Sequence, residues 1–162
     1  MSKLIIIRGP SGAGKSTIAK SLMDQVTKTT ALINRDYYMF MFRPDDGAKV
    51  PDKELIENNI LTCLNHGIDV IFEGNFRAET HKQMLDRLFV AHPEENYIFY
   101  LDISLVETLK RHDSRLEKLI TKERMEELYA HALPLNYPTE IKVPENSSLQ
   151  QTINLIQKTA KI

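Results

Sequence analysis

A glycine-rich loop with a lysine and hydroxyl side chains follows a short apolar run near residue 8. Its sequence matches the pattern GxxxxGK(S/T), in which backbone amides and a lysine surround phosphate oxygens. The loop consists of Gly9, Pro10, Ser11, Gly12, Ala13, Gly14, Lys15, Ser16 and Thr17. We expect Lys15 to bridge the β- and γ-phosphates of a nucleotide and the Ser16 hydroxyl to take one position on Mg²⁺. The loop therefore predicts a site for a nucleoside triphosphate and magnesium, with ATP as the default donor.

Two carboxylates stand at the ends of later apolar runs. Asp36 closely follows one run and is a candidate general base that accepts the proton of an attacking hydroxyl. The alternative for Asp36 is an N-cap of the next helix. Glu73 ends another run and is a candidate to orient magnesium through water or to hold the acceptor; the alternative is a salt-bridged carboxylate at the sheet edge. Together with the loop, these carboxylates indicate phosphoryl transfer, which depends mostly on positioning and charge stabilisation.

Two arginines, Arg111 and Arg115, lie four residues apart, on one helix face if a helix continues that far. Paired guanidinium groups bind phosphate oxygens well. The alternative is a solvated basic face in which they pair with Glu107 or Glu117. The functional interpretation predicts a lid around residues 111–124 that closes over the donor.

Strand and helix patterns alternate along the chain and predict the elements that position these residues. The runs expected to form strands are apolar throughout, as in strands covered on both faces, and span residues 3–8, 31–34, 68–72, 97–102 and 140–143. Helical patterns span residues 16–26, 52–66, 79–91, 104–112, 121–132 and 147–159. Capping boxes are expected at Ser104 with Glu107 and at Ser147 with Gln150. The alternation predicts an α/β fold with a five-stranded, mainly parallel sheet and helices on both faces.

The composition is that of a folded protein whose charges balance. The 162 residues include 21 Lys and Arg against 22 Asp and Glu, a net charge of −1, which excludes binding driven by bulk charge. One domain spanning residues 1–162 is expected. Cys63 is the only cysteine and the first apolar run is short, so we expect a cytoplasmic protein without an export signal or a membrane partner.

Four ordered motifs together resemble those of the small P-loop kinases that phosphorylate hydroxyl groups, and most closely the kinase domain of polynucleotide 5′-hydroxyl kinases. The motifs are GPSGAGKST, INRDYY (33–38), VIFEGN (70–75) and YLDISLVETLKRHDSR (100–115), and the similarity covers roughly residues 3–130. The zeta-toxin and antibiotic-phosphotransferase kinases form a similar, related branch. The resemblance implies a three-layer P-loop fold. It also implies that Lys15 and Ser16 hold phosphates and Mg²⁺, that Asp36 is the general base, and that Arg111 and Arg115 act from the lid.

The acceptor side departs from the polynucleotide kinase pattern. Those enzymes have an arginine shortly after INRD, whereas Met39 stands near that position within an aromatic and methionine run. Such a run is more often core, although beyond a catalytic aspartate it can also cover a base, sugar or drug ring. Tyr38 and Arg77 are further acceptor-site candidates. We therefore favour a small-molecule or nucleoside-like alcohol as acceptor; the alternatives are a nucleic-acid 5′ end, or a nucleotide-dependent switch or NTPase without an acceptor.

Overall fold

The computed structural model describes residues 1–42, 49–114 and 120–162, and these form a parallel sheet flanked by helices. The strands are β1 (Leu4–Arg8), β2 (Thr30–Asn34), β3 (Asp69–Gly74), β4 (Asn96–Asp102) and β5 (Glu140–Pro144). The helices are α1 (Lys15–Met23), α2 (Arg35–Phe40), α3 (Asp52–Asn65), α4 (Ala78–Ala91), α5 (Leu105–Asp113), α6 (Lys122–Ala130) and α7 (Leu149–Ala160). The predicted α/β class and the five-stranded sheet are confirmed, and all of the strand pairs are parallel.

The strand order is β2-β3-β1-β4-β5, so β1 lies at the centre of the sheet. Ile6 of β1 is in register with Phe72 of β3 on one side and with Ile98 of β4 on the other. Because the strands are parallel, their carboxyl ends meet at one edge, which is where ligands bind in open α/β sheets. The glycine-rich loop leaves β1 at the middle of this edge.

Successive residues of β1 enter two different cores, which explains its unbroken apolar sequence. Leu4 and Ile6 pack into the core below α3 and α4, whereas Ile5 and Ile7 pack into the core below α1 and α7. All four side chains are fully buried. A strand buried on both faces has no exposed positions that would favour polar residues, and it therefore lacks the alternation of a half-exposed strand.

Helix α2 is an element that the periodicity did not predict. It follows β2 directly, and the Asn34 side chain caps it by accepting the backbone N–H groups of Asp36 and Tyr37. At six residues it is too short for a helical repeat to be visible in the sequence, and none of its residues is buried. The interpretation of this aromatic run as core is therefore correct only for Tyr38, which packs against the core beside α3 and α4, whereas Tyr37 and Phe40 are largely exposed.

The two predicted capping boxes have different outcomes. Ser104 accepts the backbone N–H of Glu107 at 3.2 Å, as expected, although the Glu107 carboxylate pairs with Arg111 instead of returning to the cap. The box predicted at Ser147 is wrong by one residue: Ser148 caps α7, with Gln151 as its reciprocal partner. The Ser147 N–H donates to the Pro144 carbonyl in the turn that ends β5, so α7 begins after that turn.

Arg115 and Glu117 lie outside the residues that the structure describes, and so does part of the predicted lid. Among the residues that are described, none of the helices combines the length and the apolar character needed to cross a bilayer.

Candidate active site

The glycine-rich loop adopts a conformation that depends on its glycines. Gly14 has φ +97° at the position that caps α1, a left-handed conformation that favours glycine. Gly9 has φ +151°, and a Cβ at this position would lie 2.9 Å from the Leu101 carbonyl oxygen of β4. These two residues let the backbone turn tightly from β1 into α1, whose first amides carry the positive end of the helix dipole.

Lys15 is buried inside this curl, although it carries a charge. Its side chain is in the first turn of α1, and Nζ donates to the Pro10 carbonyl oxygen at 2.8 Å across the loop. The residue is only 8% exposed. An ammonium group held among backbone amides provides a compact cationic surface for phosphate oxygens.

Ser16 and Glu73 join the loop to the end of β3. Ser16 Oγ donates to Glu73 Oε1 at 2.8 Å, which leaves the lone pairs of the hydroxyl oxygen available. Glu73 is 3% exposed. Burial raises the pKa of its carboxyl, while the Ser16 hydrogen bond and the charge of Lys15 lower it. A hydroxyl and a carboxylate beside a phosphate loop are hard oxygen donors of the kind that Mg²⁺ prefers, so these residues fit the predicted metal.

Asp36 lies in the first turn of α2, close enough that its negative charge contributes to raising the pKa of Glu73. Its carboxylate is about half exposed and accepts a hydrogen bond from Arg35 Nη1 at 3.1 Å. The N-cap alternative for Asp36 is wrong, because Asn34 holds that position. The carboxylate is therefore accessible to a hydroxyl that approaches the end of the sheet.

A cleft of about 510 Å³ opens between α1, β2 and α2. It is lined by Ser16, Lys20, Leu32, Ile33, Asn34, Tyr37, Tyr38 and Glu73. The Tyr38 hydroxyl accepts a hydrogen bond from Asn59 of α3 at 2.7 Å, which fixes its ring. Tyr38, a predicted acceptor-site residue, is thus one of the residues that line this cleft.

Arg77, the other predicted acceptor-site residue, lies at the N-terminus of α4, where its charge acts on Glu127. The pKa of Glu127 in α6 is lowered mainly by a hydrogen bond from Arg124 and to a smaller extent by the charge of Arg77. Arg77 does not line the cleft beside α2.

A second pocket, of about 370 Å³, lies on the other side of the glycine-rich loop. It is lined by Ala13, Gly14, Thr17, Ile18, Leu101, Ile103, Arg111, Val143, Pro144, Ser147, Ser148, Leu149 and Thr152. Arg111 Nη1 donates to the Ala13 carbonyl oxygen at 3.2 Å, and its Nε donates to Glu107 at 2.8 Å. The alternative in which Arg111 pairs with Glu107 is thus present, and Arg111 also contacts the glycine-rich loop.

Asn34 is a site residue that the sequence reasoning missed. It belongs to the INRD motif, in which the aspartate was the predicted functional residue. The preference of asparagine for helix N-caps was an available signal, but its second contact, to Glu73, joins residues 39 positions apart.

Known proteins share this sequence pattern and this architecture. The profile of the family described as "AAA domain" (AAA_33) matches residues 4–135. A guanylate kinase from Chlorobaculum tepidum is 30% identical over 140 residues, which covers 78% of this chain and 65% of that protein. The match therefore spans slightly less than two thirds of the relative's length.

Two solved structures show similar folds. An unliganded sugar kinase from Janibacter sp. HTCC2649 superposes with a TM-score of 0.79 at 16% identity, covering 100% of this chain and 96% of that one. A chain of the Pnkp1/Rnl/Hen1 RNA repair complex superposes with a TM-score of 0.61 at 24% identity, covering 81% of this chain and 44% of that one. Since the family profile extends over most of the sequence, the chain belongs to the AAA domain family, and its fold is shared with solved kinase structures.

Proposed function

We propose that this protein is an ATP-dependent phosphotransferase that moves the γ-phosphate to a hydroxyl of a small-molecule or nucleoside-like acceptor. The observation that carries the proposal is the pair of pockets on either side of the phosphate loop. One pocket includes Ala13, Gly14 and Arg111, and the other includes Ser16 and Glu73. A phosphoryl group bound in the loop would therefore lie between a donor side and an acceptor side.

On the donor side, the loop amides and Lys15 bind the phosphates, and the base occupies the pocket beside β4 and β5. The apolar walls of that pocket, Leu101, Ile103 and Val143, suit a planar base. Mg²⁺ held by Ser16, with Glu73 orienting it through water, would neutralise phosphate charge. Arg111 contributes from the donor side, and Arg115 is proposed to join it from the lid.

On the acceptor side, Asp36 takes the proton of the attacking hydroxyl. The hydroxyl oxygen forms a bond to the γ-phosphorus, the bond from that phosphorus to the β,γ-bridging oxygen breaks, and ADP leaves. Correct placement of the hydroxyl and of the base supplies much of the rate enhancement in such reactions.

The lining of the acceptor cleft supports a ring-bearing acceptor. Tyr37 and Tyr38 supply aromatic surface, and Lys20 is the cationic side chain among the lining residues. Met39, at the position of the arginine in polynucleotide kinases, provides no partner for an acceptor phosphate. An alcohol on a sugar, nucleoside or other ring fits these surroundings better than the 5′-hydroxyl end of a strand, which carries a phosphate on its neighbouring 3′ position.

A nucleic-acid 5′ end is the second candidate acceptor. It is favoured by the ordered motifs that resemble polynucleotide kinases and by the structural likeness to a chain of an RNA repair complex.

The deciding experiment is mass-detected phosphate transfer from MgATP to a panel of sugars, nucleosides, aminoglycoside-like alcohols and 5′-hydroxyl oligonucleotides. We expect transfer to a ring-bearing small alcohol. Asp36→Asn should slow that transfer by about 10²- to 10⁴-fold while calorimetry shows unchanged ATP affinity, and Lys15→Ala should abolish the ATP binding heat. Asp24→Asn, at the exposed end of α1, is the matched control and should behave as wild type.

Three outcomes would contradict this proposal. Transfer only to oligonucleotides would identify a polynucleotide kinase instead. Rapid ATP consumption that no acceptor accelerates would identify an NTPase or switch. Unchanged transfer in Asp36→Asn would remove Asp36 from the role of base.

A further inference from the structure

Asn34 uses both ends of its side-chain amide at the edge of the sheet. Its Oδ1 accepts the backbone N–H of Asp36 at 2.7 Å and that of Tyr37 at 3.3 Å. Its Nδ2 donates to Glu73 Oε1. The orientation of the amide follows from its partners, because a backbone N–H only donates and an ionised carboxylate only accepts.

The same Glu73 oxygen receives the hydrogen bond of Ser16, at 2.8 Å. The hydrogen bonds from Ser16 and Asn34 therefore converge on Oε1, and Oε2 accepts none from the residues that the structure describes. The result is a continuous chain of contacts from Ser16 through Glu73 and Asn34 to the backbone of Asp36. It links the phosphate loop to the first turn of α2.

Helix α2 is held by packing only in part. A six-residue helix is not stable by itself, and none of the α2 side chains is fully buried. Tyr38 packs against the core beside α3 and α4, whereas Tyr37 and Phe40 are largely exposed. Among the described residues, hydrogen bonds add to this packing: those of Asn34 at the start of α2 and the Tyr38 contact to Asn59 of α3.

We propose that Asn34 is the positioning residue that holds Asp36 in line with Glu73 and the phosphate loop, without contacting either substrate. This inference rests on the proposed function, in which Asp36 is the base. Asparagine has both the oxygen that caps α2 and the N–H group that donates to Glu73. Aspartate can cap the helix but would place a second carboxylate against Glu73, and serine can cap it but lacks the donor that reaches Glu73.

These differences define the variants of the test. Asn34→Ser and Asn34→Asp keep an N-cap and lose the hydrogen bond to Glu73, whereas Asn34→Ala loses both. Hydrogen exchange of the Asp36 and Tyr37 amides reports the cap independently of activity. We expect near wild-type protection of these amides in the serine and aspartate variants and faster exchange in the alanine variant.

We expect Asn34→Ser and Asn34→Asp to lower kcat by about 10- to 100-fold, the range for residues that orient a functional group, with the KM for ATP unchanged. A residue that only capped α2 would behave differently: both variants would then restore wild-type kcat together with the protected amides. That rescue would overturn the inference, and so would loss of amide protection in the serine and aspartate variants.

Wild type and Asp36→Asn assayed in parallel separate this inference from the proposed function. A wild type that transfers phosphate to no acceptor, or an Asp36→Asn variant as fast as wild type, overturns both. A fast wild type, a slow Asp36→Asn and fully active Asn34→Ser and Asn34→Asp overturn only the role of Asn34.

Discussion

Asp36 and Glu73 are two carboxylates in contrasting surroundings at one end of the sheet. Glu73 is buried, and that burial raises its pKa against the opposing effects of Ser16 and Lys15. Asp36 is about half exposed beside Arg35. A fixed, buried carboxylate suits an orienting role, and an accessible one suits proton exchange with a bound alcohol. Different environments thus suit the two carboxylates to the two different roles proposed for them.

His81 is a buried titratable residue outside this proposed chemistry. It is 1% exposed in α4, its ring packs near Phe76, and Nδ1 lies 2.8 Å from Thr80 Oγ1. Burial lowers its pKa from 6.5 to about 4, and the positive charges of Arg35 and Lys53 act in the same direction. The folded chain therefore holds this imidazole neutral at pH values where the unfolded chain protonates it.

This difference predicts how stability depends on pH. Between pH 6.5 and about 4 the unfolded state binds a proton at His81 that the folded state does not, so the free energy of unfolding falls as the pH falls. We expect His81 to contribute a loss of about 2 kcal/mol between pH 7 and pH 5. Urea denaturation at the two pH values measures it.

His81→Gln should make the loss of stability between pH 7 and pH 5 smaller by about 2 kcal/mol, since glutamine does not titrate. The control is Gln83→Ala, at an exposed and non-titrating position of the same helix, which should keep the pH dependence of wild type. An equal loss of stability in wild type and His81→Gln would contradict the buried, neutral state of His81.

At the scale of elements, the helix starts depend on where the preceding turn ends. Ser147 and Ser148 are adjacent, and both have glutamine three residues later. Ser148 is the cap because the turn after β5 already uses the Ser147 N–H, which donates to Pro144. The choice between two equivalent sequence signals is therefore made by the connection to the sheet.

Substitution of these two serines tests the assignment. We expect Ser148→Ala to lower the free energy of unfolding by about 0.5–2 kcal/mol, since it removes the acceptor for the Gln151 N–H. The neighbouring Ser147→Ala should change it by less than about 0.5 kcal/mol. Chemical denaturation of both variants measures the difference, and the opposite order would show that α7 begins one residue earlier.

At the scale of the whole molecule, a buried ion pair joins the centre of the sheet to its far edge. Arg8 at the end of β1 donates to Glu140 of β5 at 2.7 Å, and their side chains are 0% and 2% exposed. Arg8 also donates to the carbonyl oxygens of Phe76 and Leu133 and lies over the Tyr100 ring. This cluster ties together segments up to 132 residues apart.

Glu140→Ala should therefore be strongly destabilising. We expect the free energy of unfolding to fall by about 3–5 kcal/mol, because an arginine charge is left buried without its partner. Arg87→Ala, which removes an exposed pair with Glu57, is the control and should cost about 0.2–1 kcal/mol. Equal losses in the two variants would contradict the structural role of the buried pair; urea denaturation at pH 7 measures both.

The sequence by itself determined the parts of this protein that are built from neighbouring residues. The glycine-rich loop is a contiguous stretch whose proposed phosphate binding rests largely on its own backbone amides and Lys15, and the doubly buried strands carry unbroken apolar runs. Alternating strand and helix patterns were enough to predict the parallel sheet.

Only the tertiary structure decided which distant polar groups meet. The strand order places β3 between β2 and β1, and this brings Asn34 to Glu73. It likewise decided that Tyr37 faces outward and that Arg8 has a partner in β5. The physical reason is that a hydrogen bond or ion pair requires close approach in space, and residues far apart in the chain approach only after the strands have taken their order in the sheet.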